Sequence, residues 1–118
     1  MRTLLTIIFS LAGLSLAQAH AFLDHADPRV GSTVTGSPSV VKAWFTEELE
    51  PAFSNIKVFD ATGKEIDNMD VKVDSADKTL MSVSVPKLPA GTYKVKWSAV
   101  AVDTHHTTGT FTFTVAIP

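Results

Sequence analysis

The sequence predicts an all-β protein, a two-sheet antiparallel sandwich of about seven short strands, and three observations carry that expectation. Apolar and polar residues alternate with a period of two over several short segments, the mark of strands with one face in a core and the other in water. Turn-forming clusters of Gly, Pro, Asp and Ser separate those segments. No segment sustains the 3.6-residue period of a helix over about ten residues.

Residues 1–19 read as an export signal rather than as part of the fold. Arg2 supplies the positive start, Leu4 to Leu16 the apolar stretch, and Ala17-Gln18-Ala19 the small-x-small pattern before a cleavage point. The apolar stretch is shorter than the roughly 20 residues a membrane span needs, so the mature chain is expected to be soluble, with no insertion of its own into a membrane. Residues 20–118 then make one domain of ordinary size, with no internal repeat and no linker.

Along that domain, His20 to His25 is a candidate first strand, and Val40 to Phe45, Ile56 to Phe59, Met69 to Val73 and Leu80 to Val85 supply four more. Thr92 to Val100 is the clearest, with Tyr93, Val95, Trp97 and Ala99 alternating against Thr92, Lys94, Lys96 and Ser98. The closing strand sets Phe111, Phe113 and Val115 against Thr110, Thr112 and Thr114. Trp44, Trp97, Phe111 and Phe113 stand at strand spacing and read as core. Glu47 to Ser54 is a loop or a single helical turn between two strands. This many short strands in one small domain fits a Greek-key sandwich of immunoglobulin-like or cupredoxin-like architecture. The chain has no cysteine, so the immunoglobulin disulfide is absent.

Composition removes several functions. Without cysteine there is no thiolate metal site and no cysteine nucleophile. The full chain has 10 Lys and Arg against 12 Asp and Glu; without Arg2, residues 20–118 keep 9 against 12, a side-chain balance of −3. With no basic run to offset that balance, a nucleic-acid partner is excluded. Neither a Gly-x-Ser-x-Gly elbow nor a phosphate-cradling glycine loop is present, so nothing points to a hydrolase.

The histidines point the other way. All four, His20, His25, His105 and His106, fall in two short segments. Cleavage after Ala19 makes His20 the first residue, where its free α-amine and its ring can close a chelate on one metal ion. In Asp103-Thr104-His105-His106, extended backbone puts Asp103 and His105 on one face and His106 on the other. Taken alone, Asp103 to Thr108 reads as a polar hairpin loop; the clustering of histidines at two places makes it a candidate site. Such a nitrogen-rich, oxygen-tempered set suits Cu(II) in a tetragonal field. Met1 leaves with the signal and Met69 and Met81 are isolated, so no methionine cluster offers Cu(I) a home. His25, five residues from His20, faces the opposite side of a continuous strand and reads as a surface or core histidine, as does His106. Glu47 and Glu48, taken alone, read as a solvated turn.

These residues together resemble the CopC family of periplasmic copper-binding proteins over essentially all of residues 20–118. His20-Ala21-Phe22-Leu23 with Asp27-Pro28-Arg29-Val30-Gly31-Ser32 is similar to that family's opening, and Phe45-Thr46-Glu47-Glu48-Leu49 to its Phe-Ser-Glu-x-Leu segment. Leu88-Pro89-Ala90-Gly91-Thr92-Tyr93-Lys94-Val95 and Trp97-Ser98-Ala99-Val100 resemble its Ala-Gly-Thr-Tyr strand, and Val102-Asp103-Thr104-His105 through Gly109 its Asp-x-His motif. The resemblance implies one Cu(II) per chain, held by His20, Asp103 and His105, with Glu47 as a weaker or alternative oxygen donor. It implies a periplasmic carrier or buffer in copper homeostasis or resistance, not an enzyme, with a CopD-type inner-membrane copper transporter as partner. Some members hold Cu(I) on a methionine-rich loop; here Asp60 to Val73 has only Met69, which resembles the Cu(II)-only type. His106 also departs, standing where other members often have proline.

Two other functions share the fold. A histidine-brace copper monooxygenase uses a similar N-terminal histidine on a sandwich, but this short chain lacks long loops with surface aromatics to grip a polysaccharide, and Asp103 would crowd the position oxygen needs. A metal-free structural or adhesion sandwich leaves the clustered histidines unexplained.

Overall fold

A computed structural model describes residues 20–116, and the predicted signal, residues 1–19, lies outside the described residues. The strands are β1 (Leu23–Asp27), β2 (Thr33–Thr35), β3 (Val40–Phe45), β4 (Asn55–Phe59), β5 (Lys72–Val73), β6 (Leu80–Ser84), β7 (Gly91–Val100) and β8 (His106–Ala116). They make two four-stranded sheets, ordered β1-β3-β6-β5 and β2-β8-β7-β4. Among the described residues only β5–β6 and β7–β8 are successive strands that pair; every other connection crosses between the sheets, consistent with a Greek-key sandwich.

The sequence alternation becomes burial. On β7, Tyr93, Val95, Trp97 and Ala99 turn inward, opposite Phe113, Phe111, Gly109 and Thr107 of β8. Val41, Ala43 and Phe45 of β3 and Met81 and Val83 of β6 face them from the other sheet. Phe45 meets Trp97 edge-on across the sandwich, ring centroids 5.1 Å apart at 73°. The Tyr93 hydroxyl donates to the Pro89 carbonyl at 2.6 Å, tying the preceding turn to the start of β7 in the manner of a tyrosine corner. No helix of the described residues is long and apolar enough to cross a membrane.

Several sequence expectations change. β2 was not foreseen, because three residues between Gly31 and Gly36 are too few to show a period; it pairs parallel to β8, so the second sheet is mixed. The first strand begins at Leu23 rather than His20, and the closing strand begins at His106 rather than Thr110. The Met69 to Val73 strand shrinks to Lys72–Val73, because Met69 sits at φ 59 in a turn held by the Asp67 carboxylate, which accepts its N–H at 3.0 Å. Trp44 is not core. With Phe45 facing inward, its neighbour on the strand must face outward, and there the Trp44 ring stacks on His25 at 4.4 Å and 8°.

Candidate metal centre

The residues before β1 are fastened to both sheets of the sandwich. Ala21 is fully buried, and its carbonyl accepts a hydrogen bond from the Thr107 hydroxyl near the start of β8. Thr46, just past β3, donates its N–H to the Phe22 carbonyl at 2.9 Å. Its hydroxyl accepts the Phe22 N–H at 3.0 Å and donates to the His20 carbonyl at 3.2 Å. His20 is thereby held at the end of the sandwich where β7 turns into β8.

That turn carries the other candidates. Thr104 N–H donates to Ala101 O at 2.7 Å and Ala101 N–H to His105 O at 3.0 Å, which folds the chain back on itself. Thr104 takes φ 77, a left-handed conformation that disfavours a β-branched residue. Asp103 and His105 therefore do not lie on extended backbone, as their spacing of two suggested. They converge through an Asx-type turn: Asp103 Oδ1 accepts the His105 N–H at 3.2 Å, and Oδ2 lies 3.1 Å from His105 Nδ1. A carboxylate accepting from Nδ1–H leaves the Nε2 lone pair free to bind a metal.

The His20 and His105 rings lie 4.5 Å apart, tilted by 43°. Asp103 joins them electrostatically. Its carboxyl is held below the ordinary range first by the hydrogen bond from the His105 side chain, then by that from the His105 backbone, with a smaller contribution from the charge of His20. An ionised carboxylate beside two imidazoles is a donor set for a cation, not for an anion. No group of three or more His, Asp or Glu side chains among the described residues forms a ready metal site. The His20 and His105 rings lie side by side and Asp103 is bonded to His105, while the remaining nitrogen of the expected set is the α-amine of His20 rather than a side-chain donor.

The other candidates stand apart. Glu47 is exposed in the bend after β3 and shares no hydrogen bond or ion pair with His20, Asp103 or His105. His25 is exposed, stacked on Trp44 and bonded through Nδ1 to Asp24 at 2.8 Å. His106 opens β8 with its Nε2 2.8 Å from the Ser98 hydroxyl of β7.

Thr46 and Thr107 were missed as site residues, and the signal for Thr107 was available. Stepping back by two from Phe113 and Phe111 puts Gly109 and Thr107 on the inner face, and a polar side chain there needs a partner. Its partner proves to be the Ala21 carbonyl.

The family description of the CopC domain matches residues 23–116. The chain is 34% identical over 122 residues to copper resistance protein C of Pseudomonas syringae pv. tomato, covering 97% of this chain and 96% of that protein. It is 30% identical over 98 residues to copper transport protein CutJ of Bacillus subtilis, which takes in 82% of this chain and 18% of that longer protein. The crystal structure of CopC from Methylosinus trichosporium OB3b aligns with a TM-score of 0.78 and 34% identity, over 83% of this chain and 95% of that one. His20 lies just ahead of the residues the family description matches.

Proposed function

The chain belongs to the CopC family, and from that premise we propose that it is a periplasmic carrier that takes up one Cu(II) through His20, Asp103 and His105 after its signal is removed. The observation that carries this reading is the 4.5 Å approach of the His20 and His105 rings. Two segments far apart in sequence are fixed side by side by bonds from Thr46 and Thr107.

In the proposed set, His20 gives its α-amine and ring nitrogen, His105 its Nε2, and Asp103 an oxygen that still has a lone pair beyond its bonds to His105. Three nitrogens and an oxygen suit Cu(II), and the absence of cysteine leaves the softer Cu(I) without its preferred donor. Glu47, one residue past Thr46, is the reserve oxygen. Protons compete for the same lone pairs, so uptake weakens as pH falls. The partner proposed for this carrier, by the family resemblance, is a CopD-type inner-membrane copper transporter.

The test is a Cu(II) titration of protein beginning at His20, followed by electron paramagnetic resonance. A tetragonal, nitrogen-rich signal that saturates at one equivalent is expected. Protein retaining one residue before His20 loses the amine and should bind far more weakly at unchanged metal-free melting temperature. Equal affinity of the two forms overturns the terminal chelate, and saturation at two equivalents overturns the single site.

A further inference from the structure

We propose that the end of the sandwich around His20 and His105 is a docking surface for a copper-accepting protein with a basic and apolar face, so that the ion passes inside the interface; this deepens the carrier reading and rests on it. Phe22, Phe53 and Val102 are 53%, 68% and 60% exposed, and all three border this end. Phe22 sits beside His20, ring centroids 5.8 Å apart. Val102 directly precedes Asp103. Phe53 belongs to the 3-10 turn Pro51–Phe53, which is fastened to the end of β7 on both sides: Glu50 N–H donates to Val100 O at 2.7 Å, and the Ser54 hydroxyl accepts the Val100 N–H at 3.0 Å.

One segment joins these residues. Thr46 holds the backbone of Phe22 and the Glu48 carbonyl accepts the Val102 N–H at 3.2 Å, so Glu47 and Glu48 run between the two apolar flanks. Beyond Val102 an open groove of about 380 Å³ is lined by Glu48, Glu50, Pro51, Asp74 and Lys78. Carboxylates thus outnumber the single lysine along this rim. Large exposed apolar side chains gathered at one place mark an interaction surface, and the charge around them selects the partner. An anionic bilayer is repelled by this rim; the cluster that would attract one, Lys57, Lys94 and Lys96, lies on the outer face of β4 and β7. A protein acceptor with Lys or Arg around apolar residues fits. The ion moves by ligand exchange, each bond to a nitrogen of His20 or His105 and the bond to the Asp103 oxygen being replaced in turn by a donor of the acceptor, and its charge stays 2+ throughout.

The experiment uses protein beginning at His20 and two synthetic acceptor peptides, each with an N-terminal Gly-Gly-His that chelates Cu(II), followed by alternating Lys and Leu in one and Glu and Leu in the other. In stopped flow, transfer to the cationic peptide should accelerate with its concentration and run about tenfold faster than to the anionic one, the advantage shrinking in high salt. Glu48→Lys with Val102→Ser, neither of them a proposed ligand, should remove most of that advantage and leave Cu(II) affinity unchanged. Rates independent of peptide charge, or set by spontaneous release alone, overturn the proposal. Amide shifts of the metal-free protein test docking without copper: shifts centred on Phe22, Glu48, Phe53 and Val102 support it, and shifts confined to the lysine face, scattered or absent overturn it. Protein that docks the peptide but takes up no Cu(II) refutes the carrier reading instead.

Discussion

The Thr107 hydroxyl donates a hydrogen bond to the carbonyl of Ala21, 86 residues earlier in the chain. Through this one bond the strand that follows the Asp103 to His105 turn grips the segment that presents His20. Its loss should loosen the site before it loosens the core. Thr107→Val keeps the shape, leaves a buried carbonyl unsatisfied and should cost about 1–3 kcal/mol. The proposed Cu(II) affinity should fall along with melting temperature, and amide exchange should rise first at Ala21 and Phe22. Unchanged affinity by calorimetry would show that His20 reaches the metal without this anchor.

The two adjacent histidines should behave differently. His105 faces His20 and is held by Asp103, whereas His106 is bonded to Ser98 on the outside of β7. His105→Ala should weaken Cu(II) binding at least tenfold, the worth of one lost ligand at about 1.4 kcal/mol or more. His106→Ala should leave it nearly unchanged. Competition titrations against a Cu(II) chelator decide the matter, and equal losses would mean that the wrong imidazole has been assigned.

Gly109 is constrained by its cross-strand partner. The Trp97 ring lies over it, and a Cβ added at Gly109 would fall inside the contact distance of the ring carbons. Trp97 is itself wedged against Phe45 of the other sheet and has little room to retreat. Gly109→Ala should therefore destabilise by about 1–3 kcal/mol. For a domain this size that lowers the melting temperature by about 4–8 °C per kcal/mol. Pairing it with Trp97→Phe, which shrinks the obstructing ring, should cost less than the sum of the two single changes.

Acid should unfold the metal-free protein through its turns. The carboxyls of Asp60, Asp70 and Asp77 are held below their ordinary range, each chiefly by a side-chain hydroxyl, from Thr62, Ser84 and Thr79 respectively. Groups with a lowered folded pKa add stability above the unfolded value, and that stability disappears as pH falls through the folded one. Glu65 has the opposite sign: its hydrogen bond with Asp67 raises its pKa, so its contribution falls as pH rises from the ordinary to the raised value. Melting temperature should drop between about pH 5 and the most acidic conditions. Asp70→Asn should flatten that decline, and an unaltered slope would place the acid sensitivity elsewhere.

Much of the fold was legible because alternation on β7 and β8 is unbroken over long strands, and Tyr93, Val95, Phe111 and Phe113 all landed where the period put them. Trp44 was misplaced because an aromatic residue beside another aromatic leaves the phase of a short strand ambiguous. β2 escaped because its pairing comes from β8 rather than from any pattern of its own. At the candidate site, the meeting of His20 with His105 followed from composition and position. The means did not: a turn with Thr104 at positive φ replaced the extended backbone, and the anchors Thr46 and Thr107 looked like ordinary polar strand residues.

Contact order predicts that the two halves of the site also form at different times. Asp103 and His105 sit at the tip of the β7–β8 hairpin, whose pairs run from Val100 with His106 to Gly91 with Val115 and close locally, on the microsecond scale of hairpin formation. His20 arrives only when the far end of the chain docks across nearly the whole domain, a closure that non-local topology makes slow. Under the proposed ligand set, a half-folded chain carries the turn but not the chelate. The ion therefore binds the finished sandwich and stabilises that state alone, by an amount that grows with the ratio of free copper to its dissociation constant. Copper occupancy would then count completed molecules, and a mutation that slows N-terminal docking would register as a loss of metal before any loss of secondary structure.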